Sequence, residues 1–256
     1  MPSTRLDGMA DTTIALVTGA NKGIGYAIAD QLATGHAVTV LLGARDPDKG
    51  KHAAEALRER GGDVTAITLD VTDPATITDA AALIGREYGR LDVLVNNAGI
   101  SPGRDAQRPG NVDLDVIRAV FETNVFGVIA VTEAMLPLLR KSASARVVNV
   151  SSGTGSLTWM TDPAHYFASL RASAGYPVSK TALNMLTVQY AKALAADGIA
   201  VNAIAPGACA TDFLNGITGR VITRTAADGA RIAVRLATGP SEPAGGFFDD
   251  DGQVPW

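Results

Sequence analysis

The chain has 256 residues, 46% of them apolar and 19% charged, with a formal net charge of −4. That balance supports one sizeable core and excludes a largely disordered chain, and no basic stripe with interleaved aromatics marks a nucleic-acid partner. The apolar runs are strand-length, short of the ~20 residues of a membrane helix. Residues 1–12 carry no apolar signal segment, Cys209 alone excludes an internal disulfide, and His36, His52 and His165 are too scattered to form a metal site; the expectation is a soluble, cytoplasmic, metal-free protein with no membrane partner.

From Thr13 onward, short β-rich runs alternate with helical patterns. Ile14–Val17 reads as a strand ending in a glycine turn, Gly19-Ala20-Asn21-Lys22-Gly23-Ile24-Gly25, and Ile24–Ala33 reads as a helix. Val38–Leu42 is a second strand, followed by a helix over Lys49–Arg60 that stops at Gly61-Gly62. Val64–Leu69 is a third strand, and Asp73-Pro74 opens the next helix with a cap residue and a proline at the first helical position. Leu91–Val95 is a fourth strand, Val116–Leu139 one long helix, Arg146–Val150 a fifth strand, Tyr176–Ala195 a helix and Ile199–Ile204 a sixth strand. Gly246–Phe248 reads as a seventh strand, and Asp249-Asp250-Asp251 as a solvated turn.

This alternation implies an α/β fold: a Rossmann-type, doubly wound, mostly parallel seven-stranded sheet with helices on both faces. No linker or repeat divides the chain, so residues 1–256 read as a single domain with a mobile tail over 1–12.

In such a sheet, the turn after the first strand meets a dinucleotide pyrophosphate at a helix N-terminus, where free N–H groups and the helix dipole favour anions. The spacing here is G-x-x-x-G-x-G, wider than G-x-G-x-x-G, so its meaning rests on the strand before it and the helix after it. An NAD site places an acid about 20 residues beyond the last glycine, on the ribose 2′-hydroxyl. Here Ala44 stands where that acid falls most naturally, Arg45 follows it, and Lys22 adds a cation inside the turn. Two cations and a missing acid favour the 2′-phosphate of NADP(H), because Arg holds phosphate in a bidentate way. Asp46 would supply an acid after a one-residue shift, and Arg45 as a solvated loop cation is the bland alternative.

Tyr176 and Lys180 lie one helical turn apart. Tyrosine has a reference pKa near 10, too high for efficient proton exchange at neutral pH. A cation about 5 Å away, at an effective dielectric near 20, contributes roughly 3 kcal/mol, or about two pKa units. The positive nicotinamide of an oxidised cofactor would push in the same direction, so on that reasoning Tyr176 would exchange a proton with a carbonyl or alcohol oxygen near pH 8. Pro177 fits the first turn of that helix.

With these residues in view, the chain resembles the short-chain dehydrogenase/reductase family over nearly its whole length. Thr18–Gly25, Leu69-Asp70-Val71, Asn96-Asn97-Ala98-Gly99, Asn124 in Thr-Asn-Val, Ser151-Ser152, Tyr176-x-x-x-Lys180 and Pro206-Gly207 occur in that family's order. The resemblance implies that Tyr176 donates or accepts the proton, Ser152 hydrogen-bonds the carbonyl oxygen, Lys180 tunes the phenol and holds the nicotinamide ribose, and Asn124 supports a relay water. It places Asp70 and Val71 by the adenine, Asn97, Ala98 and Gly99 along the cofactor groove, and Pro206, Gly207 and Thr211 by the nicotinamide amide. Each has a plainer alternative: Asn124 as a helix bridge, Asp70 as a turn acid, Cys209 as a small buried residue. Ser152 is chosen over Ser151 on the resemblance alone.

Ser152 precedes Tyr176 by 24 positions, a longer gap than in much of the family. The extra stretch over 157–173 is similar to the carbonyl-reductase-like branch, whose insert covers a tetramer-forming surface; it favours a monomer slightly over a homodimer. Trp159, Met160, His165, Tyr166 and Phe167 in the insert, with Phe213, Leu214 and Ile217, either wall an apolar substrate pocket or anchor the insert. The expected activity is NADPH-dependent reduction of a ketone or aldehyde, reversible as alcohol oxidation, against an NAD-linked alcohol dehydrogenase or a non-enzymatic NADPH sensor.

Overall fold

In chain order the strands are β1 (Ile14–Val17), β2 (Thr39–Ala44), β3 (Val64–Thr68), β4 (Val93–Asn96), β5 (Arg146–Val150), β6 (Ala200–Ile204), β7 (Phe247–Asp249) and β8 (Gly252–Gln253). They form one sheet in the order β3-β2-β1-β4-β5-β6-β7-β8. Every neighbouring pair is parallel except the last. The computed structural model describes residues 12–214, 222–240 and 242–256. The expected mobile tail lies almost wholly outside them, as do Ile217 and the side chain of Leu214.

A strand buried on both faces needs an unbroken apolar run rather than an alternating one, and β1 (Ile-Ala-Leu-Val) is buried throughout. Its side chains still sort by face. Ala15 and Val17 join the cluster under α1 (Gly23–Asp30), α2 (Pro47–Glu59) and the helix over Ala226–Thr238. Ile14 and Leu16 join the opposite cluster, under α3 (Pro74–Glu87) and the helices over Gly127–Leu139 and Tyr176–Leu194. The remaining helices, in chain order, are α4 (Leu114–Phe121), α5 (Gly127–Leu139), α6 (Leu157–Thr161), α7 (Tyr176–Leu194) and α8 (Ala226–Thr238).

The sequence pattern foresaw seven strands and one helix over Val116–Leu139, and the structure corrects both. The eighth strand arises because the Asp249 carboxylate accepts the N–H groups of Asp251 and Gly252 at 2.9 and 3.1 Å, closing a tight turn. Gly252, at φ 132, then returns the chain antiparallel to β7; two residues are too few to show a strand period. The long helix is interrupted between α4 and α5 by a π-helical turn over Glu122–Phe126. Such turns are frequent at functional sites, and this one carries Asn124.

The chain order reverses between β1 and β4, so the carboxyl ends of these strands open a crevice at the topological switch point. The glycine turn, the 97–99 loop, Ser152 and the 206–211 loop all follow strands at that end.

Candidate active site

The glycine turn is held from within. Thr18 Oγ1 accepts the N–H groups of Asn97 and Ala98, both at 3.0 Å. Asn97 Nδ2 donates back to the carbonyls of Thr18 and Gly19 at 2.8 and 3.2 Å. Gly19 and Gly23 have φ of 63 and 60, a left-handed conformation natural to glycine. A methyl group on Gly25 would overlap the Asn97 amide, so this glycine is required by packing beneath the turn rather than by a phosphate above it. At Gly23 a methyl would meet only the Thr211 side chain, at 3.7 Å. Helix α1 opens there with Lys22 at its cap, no side-chain cap bond and no acid in its first turn. Its N–H groups are left for an anion, with half-buried Asn21 and Ile24 beside them. These residues fit a dinucleotide pyrophosphate.

Helix α2 and strand β2 settle where the alternative acids stand. Ala44 is 1% exposed and packs against Gly50 in the core, so it is not the position from which an acid would read the ribose. Asp46 caps α2: its carboxylate accepts from Asp48 N and Lys49 N at 3.1 and 3.0 Å and pairs with Lys49 Nζ at 3.2 Å. The Lys49 N–H, foremost, holds its pKa below the usual carboxylate value. Arg45, between them, is exposed and has no ion-pair partner among the described residues. Lys22 departs from the expectation of a second free cation, because its ammonium pairs with Asp212 at 3.0 Å across the groove mouth.

Asp70 forms the turn after β3, with Oδ1 accepting from Thr72 N and Oγ1 at 2.9 and 2.7 Å. Val71 is buried against Gly127, where a methyl would come within 2.9 Å of it. Gly99 lies between Asn124 and Lys180: a methyl there would sit 3.4 Å from Asn124 Oδ1 and 3.6 Å from Lys180 Nζ. Across the groove, Pro206 and Gly207 (φ 76) are clamped by Arg224, whose Nε donates to the Pro206 carbonyl at 2.9 Å and whose guanidinium pairs with Asp250. Thr211 Oγ1 donates to the Cys209 carbonyl at 3.5 Å, and burial pushes the Cys209 thiol up, as befits a small core residue.

Ser151 and Ser152 part company. Ser151 is buried and its hydroxyl donates to Asn184 Oδ1 at 2.5 Å. The Ser152 hydroxyl pairs with Thr154 Oγ1 at 2.9 Å and lies near enough to the Tyr176 phenol to lower its pKa. Lys180 is 4% exposed; its ammonium donates to the Val150 carbonyl at 2.7 Å and stands 5.7 Å from the Tyr176 ring centroid. Asn124, fully buried, accepts from Ile100 N at 2.8 Å and donates to Ile100 O and Ser179 Oγ, both at 3.0 Å. The structure thus gives Asn124 a bridging role in the protein itself.

The expectation for the phenol was wrong in direction. Burial pushes Tyr176 up to about 12, against a lowering by the Ser152 hydroxyl. Burial also pushes Lys180 down to about 8. The Coulomb argument counted the cation but not desolvation, which penalises the charged form of both groups.

Three elements escaped sequence reasoning. Gln107, 1% exposed, accepts the Tyr176 N–H at 2.8 Å. Asn184 ties Ser151 to the Gly155 carbonyl, at 3.1 Å, fixing the serine loop on α7. Helix α8, closed by a Thr225–Asp228 capping box, is legible in hindsight from that Thr-x-x-Asp spacing. In the insert, Trp159 stacks on His165 at 4.7 Å and the Phe167 and Tyr166 rings follow. Anchoring is therefore what these aromatics do among themselves, with Phe167 and Trp159 edges resting on Gly153 beside Ser152. Phe213 instead meets the Tyr176 ring, 5.4 Å between centroids.

Comparison with known proteins agrees with this arrangement. A sequence model of the short chain dehydrogenase family matches residues 13–222. The chain is 38% identical to the short-chain dehydrogenase anuI of Penicillium roqueforti, covering 93% of this chain and 94% of that one. It is 32% identical to the NADPH carbonyl reductase 1 of Mus musculus, covering 95% and 98%. The NADPH-bound carbonyl reductase from chicken fatty liver superposes with a TM-score of 0.82 at 30% identity, covering 96% and 99%.

Proposed function

Since the chain belongs to the short-chain dehydrogenase family, we propose that it is an NADPH-dependent reductase of apolar ketones or aldehydes, reversible as an alcohol dehydrogenase. The observation that carries this reading is the meeting of the Ser152 hydroxyl, the Tyr176 phenol and the Lys180 ammonium at the same sheet end as an uncapped helix N-terminus. Two relatives named for or bound to NADPH support the choice of cofactor. So do Arg45, without an ion-pair partner among the described residues and available to the 2′-phosphate, and the lack of a free acid among the described residues at the end of β2.

Gly19, Asn21, Gly23 and Ile24 would hold the pyrophosphate, with Gly25 letting the turn pack on Asn97 beneath it; Asp70 and Val71 would take the adenine, and Asn97, Ala98 and Gly99 would line the groove. Pro206, Gly207 and Thr211 would take the nicotinamide amide. When bound, NADPH supplies the hydride that reaches the carbonyl carbon. Ser152 donates a hydrogen bond to the carbonyl oxygen, and Tyr176 delivers its phenolic proton to that oxygen as negative charge develops there. With a pKa raised to about 12, the phenol is protonated at neutral pH, the form that reduction needs. Lys180, below its pKa of about 8, stays charged at neutral pH and available to the ribose. Phe213, against Tyr176, favours an apolar group next to the carbonyl.

The test is nicotinamide absorbance with purified protein, NADPH or NADH, and a panel of ketones, aldehydes and diketones. NADPH consumption should exceed NADH consumption and disappear in Tyr176→Phe, which should still bind NADPH. Retained turnover in that variant would remove Tyr176 from the mechanism.

A further inference from the structure

Helix α7 begins without a cap of its own. Its cap position is Gly175, which has no side chain to offer, and Tyr176 is the first helical residue. An uncapped N-terminus leaves the N–H groups of the first turn without partners, at the residue whose phenol must be held against Ser152. The partner comes from 69 positions away: Gln107 Oε1 accepts the Tyr176 N–H at 2.8 Å. The same oxygen accepts from Ser173 Oγ at 3.2 Å, and the Gln107 carbonyl accepts Ala174 N at 2.8 Å. Gln107 Nε2 donates to the Pro102 carbonyl at 2.5 Å. Both ends of this buried amide are therefore engaged.

The other side of the Tyr176 peptide is fixed from the same loop. Its carbonyl accepts from Ser179 Oγ at 2.7 Å, and Ser179 Oγ accepts from Asn124, which is doubly bonded to Ile100. Residues 100–107 thus grip the Tyr176 backbone at its N–H through Gln107 and at its carbonyl through Asn124 and Ser179. Packing alone does not require this at Gln107: an apolar side chain would fill a buried position without a polar partner to satisfy.

The geometry points to Gln107 as a positioning residue for the reaction, one that caps α7 in trans and sets the reach of the Tyr176 phenol toward Ser152 and the substrate. This rests on the reductase reading given above. Gly175 belongs to the same device, because a methyl at that position would overlap Gln107 Oε1.

Two variants test it. Gln107→Leu keeps the volume and removes every side-chain bond; Gln107→Glu keeps an acceptor for the Tyr176 N–H. A displacement of a reacting group by about 1 Å costs up to about 100-fold in rate, so kcat should fall about 10- to 100-fold in the leucine variant. KM for the carbonyl and the Kd for NADPH, measured by its fluorescence, should stay within about twofold, since Gln107 touches neither the glycine turn nor Arg45. The glutamate variant should recover most of the lost kcat, and the pH profile should keep its shape in the leucine variant because Gln107 does not titrate. Wild-type kcat in the leucine variant, or equal losses in both variants, would overturn the assignment. Should the leucine variant fail to fold, Gln107→Asn replaces it: one methylene shorter, it should be slow where glutamate is not, and equal rates in the two would refute the role. Hydrogen exchange of the 174–176 amides, read without substrate, separates this inference from the reductase reading. If the wild-type protein reduces no carbonyl, faster exchange in the leucine variant than in the glutamate variant still supports the capping role, and identical exchange overturns it.

Discussion

Lys180 offers the sharpest separation of stability from function. Its ammonium is buried and its pKa is pushed from 10.5 down to about 8 by that burial. The difference, 10.5 minus about 8, is about 2.5 units, or about 3 kcal/mol of destabilisation at neutral pH when each unit is about 1.4 kcal/mol. Lys180→Met removes the charge and keeps the length of the side chain. It also leaves the Val150 carbonyl, now bonded to Lys180 at 2.7 Å, without that donor, at a cost of about 1–3 kcal/mol. The two effects leave the variant between equally stable and about 2 kcal/mol more stable at pH 7. Its Tm should match or exceed wild type by a few degrees, at about 2–4 °C per kcal/mol for a protein of this size, while carbonyl reduction is lost. The pH dependence carries the same information. Between pH 8 and 10.5 the unfolded lysine holds a proton that the folded one has released, so the unfolded state binds more protons and wild-type stability rises with pH across that window. Methionine removes this rise, so the gap between the two proteins should narrow and then reverse as pH climbs. Urea titrations at several pH values, followed by circular dichroism, read it directly. A methionine variant less stable than wild type at pH 7 by more than about 1 kcal/mol, or a gap that ignores pH, would refute the account of Lys180 as a charge the fold tolerates for the sake of the site.

Other variants test the surrounding geometry. Arg45→Gln should weaken NADPH binding about 10- to 100-fold, the loss of one charge-assisted contact, and leave NADH binding unchanged, as fluorescence titration will show. Asp212→Asn breaks the Lys22 pair, whose partners are 67% and 68% exposed; stability should change by less than about 1 kcal/mol in a thermal melt. Gly127→Ala would press a methyl to within 2.9 Å of Val71 and should cost about 1–3 kcal/mol in denaturant unfolding. Asp92→Ala leaves Ile14 N, Arg90 and Ser142 without the carboxylate they share, and should cost about 2–4 kcal/mol with kcat at wild-type level.

Where a residue type is dictated by local chemistry, the sequence was readable. The strands announced themselves because a parallel sheet buried on both faces demands unbroken apolar runs, and all seven expected strands fall within two residues of the observed bounds. The glycine turn stood out because φ near 60 at Gly19 and Gly23 leaves little choice of residue. Tyr176 and Lys180 stood out because one helical turn brings i and i+4 together. The break in the long helix at Glu122–Phe126 left no mark, because a π turn needs no proline or glycine and its stability comes from tertiary bonds such as Asn124 to Ile100. Ala44 was misplaced for a related reason: which face a strand-end residue takes depends on what packs there, and here it is Gly50.

The remaining failures share one cause. The phenol's pKa was argued from nearby positive charge alone, yet in the structure its direction is decided by burial, which every element packed around the site contributes. Gln107 was invisible for the complementary reason. Its partner is a backbone N–H, and backbone groups are the same in every residue, so no pattern of side chains in Gly103–Gly110 marks what the glutamine will cap. Arg224 repeats the case, bonding the Pro206 carbonyl from 18 positions away. Residues that touch reacting atoms must be of a particular chemical kind and are legible one by one. Those that hold them do so by reaching main-chain groups across the fold, and only the assembled geometry separates Gln107, with both ends of its amide bonded, from a glutamine on a solvated loop.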